Sequence, residues 1–261
     1  MPALTPHSAF TTWQFLPLVT ALLILSAAGY LYGVRAVQRR HPARPWPAAR
    51  TAAFLAGLAV IAVATQSSVG AYDDVLFSVH MIQHLLLIMV APPLLVFGRP
   101  VTLALHAARN PVHTWIKRAI RSRIATALTW PPFAVTLYAV VVTVTHLTPL
   151  RELVLENPAL HAAEHALYLV TGYLYFLPVI GAEPLRWRPS LLGRYLLLLV
   201  AMVPDTAVGV ILMSFVQSDL HEGGLIMLAG SDLIMTALAM ALAASLVWSS
   251  EIGAQQGQVG G

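Results

Sequence analysis

The chain has 261 residues, 58% of them hydrophobic and only 10% charged, with no cysteine. A soluble domain carries about 25% charged residues, so this composition is that of a membrane protein, and the absent thiols exclude disulfides, zinc ribbons, iron–sulfur clusters and cysteine-based copper motifs. The formal charge of +4 comes from 15 Lys and Arg confined to short loops between apolar runs, which argues for membrane topology and against a nucleic-acid partner.

Seven segments are long and apolar enough to cross about 30 Å of hydrocarbon at roughly 20 residues each. They lie near 15–34, 50–68, 76–97, 126–147, 160–180, 193–215 and 229–248. The first does not read as a cleavable signal peptide: residues 1–14 contain no Lys or Arg, and Arg35, Arg39, Arg40, Arg44 and Arg50 follow it. Basic residues then recur in alternate links. Arg99, Arg109, Lys117, Arg118, Arg121 and Arg123 follow the third span, and Arg186, Arg188 and Arg194 follow the fifth. The intervening links hold Asp73, Asp74, Glu152, Glu156, Asp219 and Glu222, with Arg151 as their one basic residue. Fourteen of the 15 basic residues therefore fall on one side, which is cytoplasmic by the positive-inside rule.

The expected fold is all-α: a polytopic membrane bundle of seven helices, N-terminus outside and C-terminus cytoplasmic. Residues 1–250 form a single membrane domain, and the polar, Gly-rich tail 251–261 is expected to be disordered in the cytoplasm. The stretch His113–Arg123 reads as an amphipathic helix lying on the anionic inner surface, where His106 and His113 join a basic face without a ligand role.

Two histidine pairs, His80/His84 and His161/His165, have the i, i+4 spacing that stacks two imidazoles on one helix face. At 1.5 Å per residue His80 lies about 6 Å and His84 about 12 Å below the outer end of the third span. His146 ends the fourth span at the same side. A lone membrane histidine more often bonds a neighbouring helix, worth about 0.6 kcal/mol. Five from three spans at one depth, with none in the inner half of any span, point to a metal site. Met81 and Met227 add thioethers, which favour copper as Cu(I) over zinc or haem. His161, Glu164, His165 and Tyr168 share a face, so Glu164 and Tyr168 are expected to orient the histidines. Asp205, after Pro204 in the middle of the sixth span, is a candidate proton or ion relay. Asp219, His221 and Met227, in a Gly-containing outer loop before the seventh span, are further candidate ligands. His161-Ala-Ala-Glu164-His165 is also a literal H-x-x-E-H, the pattern of some zinc metalloproteases, but that reading leaves His80, His84 and His146 unused. Haem between paired histidines would call for histidines at both depths.

The run His80-Met-Ile-Gln-His84-Leu-Leu-Leu-Ile-Met-Val-Ala-Pro-Pro-Leu-Leu-Val-Phe-Gly-Arg-Pro100 resembles the signature of CtaG-type assembly factors of bacterial caa(3)-type cytochrome c oxidase. His146-Leu-Thr-Pro-Leu150, His161-Ala-Ala-Glu-His165 and Asp219–Met227 resemble it too. The resemblance implies a multi-pass protein of the bacterial plasma membrane that is not an enzyme. Its partners would be an oxidase subunit and the lipid bilayer, with room for a homo-oligomer, and its role copper supply to the oxidase. A copper uptake or resistance protein is the nearest alternative within copper biology, and an intramembrane zinc protease the alternative among enzymes.

Reporter fusions at residues 73 and 155 should register an extracytoplasmic location. Cytoplasmic activity at either position would overturn both the orientation and the common outer face of the histidines.

Overall fold

The structure, a computed structural model, describes residues 12–149, 153–154 and 157–258, with side chains as far as 244. Arg151, Glu152, Glu156 and the side chains of the 251–261 tail lie outside the described residues. Among those described there are helices and turns and no strand.

In chain order the helices are α1 (Pro17–Arg40), α2 (Ala48–Gln66), α3 (Ser68–Tyr72) and α4 (Phe77–Leu85). A π-helical turn (Leu86–Val90) leads into α5 (Ala91–Phe97). Next come α6 (Pro100–Ala107), α7 (Val112–Ile120), α8 (Arg123–Leu128), α9 (Pro131–Leu147), α10 (Pro158–Ile180), α11 (Leu191–Met213) and α12 (Ser218–Gln258). Five stretches are long and apolar enough to cross a membrane: Pro17–Arg40, Ala48–Tyr72, Phe77–Ala107, Leu191–Met213 and Ser218–Ala244. Helix α9 is apolar but has only 17 residues, because Pro131 and Pro132 start a new helix instead of extending α8. Helix α10 carries His161, Glu164 and His165 in its first two turns.

The continuous stretch from α4 to α6 is the axis of the bundle. Of its apolar 18-residue window 67% is buried, against 17% of the corresponding window in α1. Helix α12 packs along α4, α2 along α5, and α10 along α5 and the π turn, while α11 and α12 pack against each other. The outward faces are apolar: Leu192, Leu199 and Val203 of α11 are 69%, 59% and 66% exposed, as a lipid-facing surface requires. Helix α7 buries no residue, and Trp115, Lys117 and Arg118 lie on its exposed surface, consistent with a surface helix.

The π turn has a local cause. Pro92 and Pro93 lack N–H groups, so the carbonyls of Ile88 and Met89 lose their usual donors four residues on. The N–H of Ala91 reaches back five residues to Leu86, widening the turn. The half before the turn can thus bury His80, Met81, Gln83 and His84 while the half after it buries Ala91, Pro92, Pro93, Leu95 and Val96. Helix α10 fits against this widened turn through Gly172.

The segment expected as an outer loop, 218–227, is instead the first part of α12. Its glycines serve close packing and not a turn. A Cβ on Gly223 would lie 2.6 Å from the Phe77 ring, and one on Gly224 would lie 2.7 Å from the Gly209 carbonyl oxygen. Removing both side chains brings α12 against α4 and α11.

A Cβ on Gly172 would lie 2.2 Å from the Ile88 carbonyl oxygen, whereas Gly29 has nothing within 4 Å. Gly172→Ala should cost about 1–3 kcal/mol by overpacking, read as a lower thermal midpoint in detergent. Gly29→Ala should be neutral or mildly stabilising. Equal midpoints for the two variants would remove the tight α10 crossing.

Candidate metal centre

The histidines collect where the N-terminal turns of α4 and α10 meet the C-terminal turn of α9. The i, i+4 spacing places His80 above His84 on α4 and His161 above His165 on α10, with ring centroids 3.9 Å and 4.4 Å apart. Across the interface His80 lies 5.5 Å from His161 and His84 lies 6.5 Å from His165, centroid to centroid.

Two carboxylates divide this cluster. Glu164 Oε2 is 3.9 Å from His80 Nε2 and 3.5 Å from His84 Nε2. Asp73 Oδ2 is 3.5 Å from His161 Nε2 and 3.8 Å from His165 Nε2. Each set of three ligand atoms lies within 4.8 Å of one another. Helical geometry explains the division. At 100° per residue Glu164 and His165 point to different neighbours, so α10 turns its carboxylate to α4 and its two imidazoles to Asp73. The inner trio of His80, His84 and Glu164 is fully buried, while His161 and His165 of the outer trio are half-buried.

These N···O separations exceed normal hydrogen bonds. They approach the roughly 3.3–3.5 Å that separates ligand atoms around a tetrahedral ion with bonds of about 2.0–2.1 Å. Nε2 of His84, His161 and His165, Nδ1 of His80 and Oε2 of Glu164 are buried without a hydrogen-bond partner. Each such group costs about 1–3 kcal/mol. Burial pushes the Asp73 carboxyl up to about 6, with the adjacent Asp74 adding to the rise and hydrogen bonds from Gln83 and the backbone opposing it.

His146 belongs to neither trio and prepares one of them. Its Nδ1 lies 2.8 Å from the Val142 carbonyl, which can only accept, so that nitrogen carries the proton. Its Nε2 lone pair then accepts from His84 Nδ1 at 3.2 Å. His84 is left with an unprotonated Nε2 facing Glu164, the tautomer a metal ligand needs. Tyr168 holds the same ring from the other side, stacked at 4.1 Å, and its hydroxyl bonds Thr145.

Below His84 lies a small cavity of about 10 Å³, lined by Met81, His146, Tyr168, Asp205 and Met227 among others. Met81 and Met227 therefore lie beside His84 and His146. Asp205 faces the same cavity and accepts from the Tyr138 hydroxyl at 3.0 Å and 3.2 Å. Asp219 and His221 do not join the cluster. Asp219 accepts from the N–H groups of Phe77 and Ser78 at 2.7 Å and 3.0 Å, capping α4, and His221 Nδ1 bonds the Met213 carbonyl at 2.7 Å. His106 packs edge-on against Trp46, near Arg44 and Arg50.

Asp73 is the residue that sequence patterning does not single out. Its signal was an acidic pair, Asp73-Asp74, in a chain with only 11 acidic residues, placed directly before a histidine-bearing helix. Glu164, expected to orient a histidine, stands level with His80 and His84, its carboxylate oxygen within 4.8 Å of one ring nitrogen of each.

A family model described as the cytochrome c oxidase caa3 assembly factor matches residues 28–249. Uncharacterised proteins of Mycobacterium bovis and Mycobacterium tuberculosis are each 35% identical over 211 residues, covering 78% of this chain and 32% of the relative. One of Mycobacterium leprae is 29% identical over 261 residues, covering 90% of this chain and 39% of its own. The chain spans about a third of the length of these relatives. No solved structure matches it.

Asp219→Ala should destabilise the protein by about 1–2 kcal/mol through loss of the α4 cap. The measurement is a thermal melt of the detergent-purified protein, and an unchanged midpoint would mean that the carboxylate does not carry the start of α4.

Proposed function

The chain belongs to the cytochrome c oxidase caa3 assembly factor family, and on that premise we propose that it carries copper as cargo for the oxidase. The ion would sit at His80, His84 and Glu164, near the outer face of the bacterial plasma membrane. The bundle would cross that membrane seven times with the N-terminus outside, in keeping with the distribution of basic residues.

The observation that carries this reading is the His146–His84 pair, which leaves His84 Nε2 as a bare lone pair aimed at a buried carboxylate. His80, on the turn above, supplies a second imidazole. One carboxylate against one Cu(I) makes the buried site neutral, whereas a divalent ion would leave a net positive charge where burial is costly. The thioethers of Met81 and Met227, which line the cavity beside His84 and His146, suit Cu(I) as well. Tyr168 and His146 keep the His84 ring from turning, so the donor set is organised before the ion arrives.

The H-x-x-E-H reading asks both histidines and the glutamate to work on one zinc ion. Here Glu164 faces His80 and His84, while His161 and His165 face Asp73. That division favours a carrier over a protease.

Purified protein should bind Cu(I), and His80→Ala combined with His84→Ala should abolish that binding while His106→Ala combined with His113→Ala leaves it intact. Glu164→Gln should weaken copper affinity by at least about tenfold and lower oxidase activity in copper-limited cells. Added copper should partly restore that activity by mass action. A deletion strain whose oxidase stays fully metallated under copper limitation would sink the proposal, and altered total cell copper in that strain would point to a permease.

A further inference from the structure

We infer that the protein holds a second metal ion, a divalent transition metal bound by Asp73, His161 and His165 on the outer side of the copper trio. The inference builds on the reading that the inner trio carries copper, and it concerns different residues.

Geometry separates the two trios. The outer one has its own carboxylate, supplied from the turn between α3 and α4, at 3.5 Å and 3.8 Å from the two imidazole nitrogens. Those nitrogens, Nε2 of His161 and of His165, have no hydrogen-bond partner, although both are buried at the atomic level. They converge on Asp73 and not on Glu164, because α10 presents Glu164 about 100° away from His165. Two imidazoles and a carboxylate at these spacings match the His and carboxylate chemistry of zinc and of Cu(II).

Charge and exposure separate them as well. The inner trio is fully buried and has one carboxylate, which balances a monovalent ion. The two histidines of the outer trio are half-buried, and Asp73 is followed in the chain by the exposed Asp74. The buried Asp73 and the solvent-exposed Asp74 next to it together offer two negative charges to balance a divalent ion. Position adds a functional consequence. His161 lies ring to ring with His80 at 5.5 Å and His165 with His84 at 6.5 Å, so the outer ion would sit beside the histidine contacts that join the outer trio to the buried one. The outer ion would order the outer turns of α4 and α10 around the copper trio.

The test uses the full chain in detergent, stripped with chelator, loaded with one equivalent of Cu(I) under reductant and then with Zn(II), desalted, and analysed for both metals. The expected result is one copper and one zinc per chain. Asp73→Asn should lose zinc and keep copper, and His84→Ala should lose copper and keep zinc. His161→Gln repeats the first arm at the half-open end of the site, should Asp73→Asn not fold. Copper without zinc in the unmodified protein overturns this inference and leaves the copper reading standing. Zinc without copper overturns the copper reading and leaves the outer site. Loss of both metals together in every variant means one shared site, which overturns the inference, and so does zinc retained by Asp73→Asn and His161→Gln.

Discussion

A polar group buried among helices that face hydrocarbon must find its partner inside the bundle, because no water stands ready to take its place. This constraint organises the whole structure. Asp219 of α12 satisfies the first N–H groups of α4, and Glu183 does the same for α6, accepting from Val101 and Thr102 at 2.9 Å each. The axial stretch therefore begins and resumes at carboxylates donated from distant parts of the chain. Asp205 receives the Tyr138 hydroxyl, and Gln83 donates to the Ala64 carbonyl at 3.0 Å. Against that background the unpartnered atoms stand out by their location. Five of them belong to one cluster of four histidines and a glutamate, and four of these, Nε2 of His84, His161 and His165 and Oε2 of Glu164, are the atoms turned toward one of the two trios, where a cation would use them.

The axial stretch shows how a break in regular structure can position chemistry. Two prolines remove donors from the helix interior, and the backbone responds with a π turn instead of a sharp kink. That turn begins two residues after His84. It lets the half before it present histidines to α10 while the half after it presents aliphatic side chains to α2 and α10. Gly172 admits the widened turn, so the prolines, the π turn and the glycine form one packing unit spread over two helices.

The cluster also explains why its histidines are not equivalent. His146 is bound to its own helix through Val142 and passes a tautomer to His84, while Tyr168 stacks on the same ring. These residues fix an orientation. The fully buried trio lies behind one whose two histidines are half-buried.

Much of this was legible in the sequence. Hydrophobic run length marked where helices form, charge distribution set the expected orientation, and i, i+4 spacing placed each histidine pair on one face. All of these are local properties, settled within a few residues of backbone. The partners were not legible. Asp73 looked like one more loop acid, and Asp219 like a ligand, until α12 was seen to start at Ser218 and reach 142 positions back to Phe77. The Gly223–Gly224 pair reads equally well as a turn or as a close helix contact, and only the neighbouring Phe77 and Gly209 decide between them. Likewise, H-x-x-E-H says that three side chains lie close together on one helix, but not which neighbour each one faces. That depends on how α10 is rotated against α4 and the α3–α4 turn, and the rotation is set by side-chain packing between segments far apart in the chain, which no local pattern encodes.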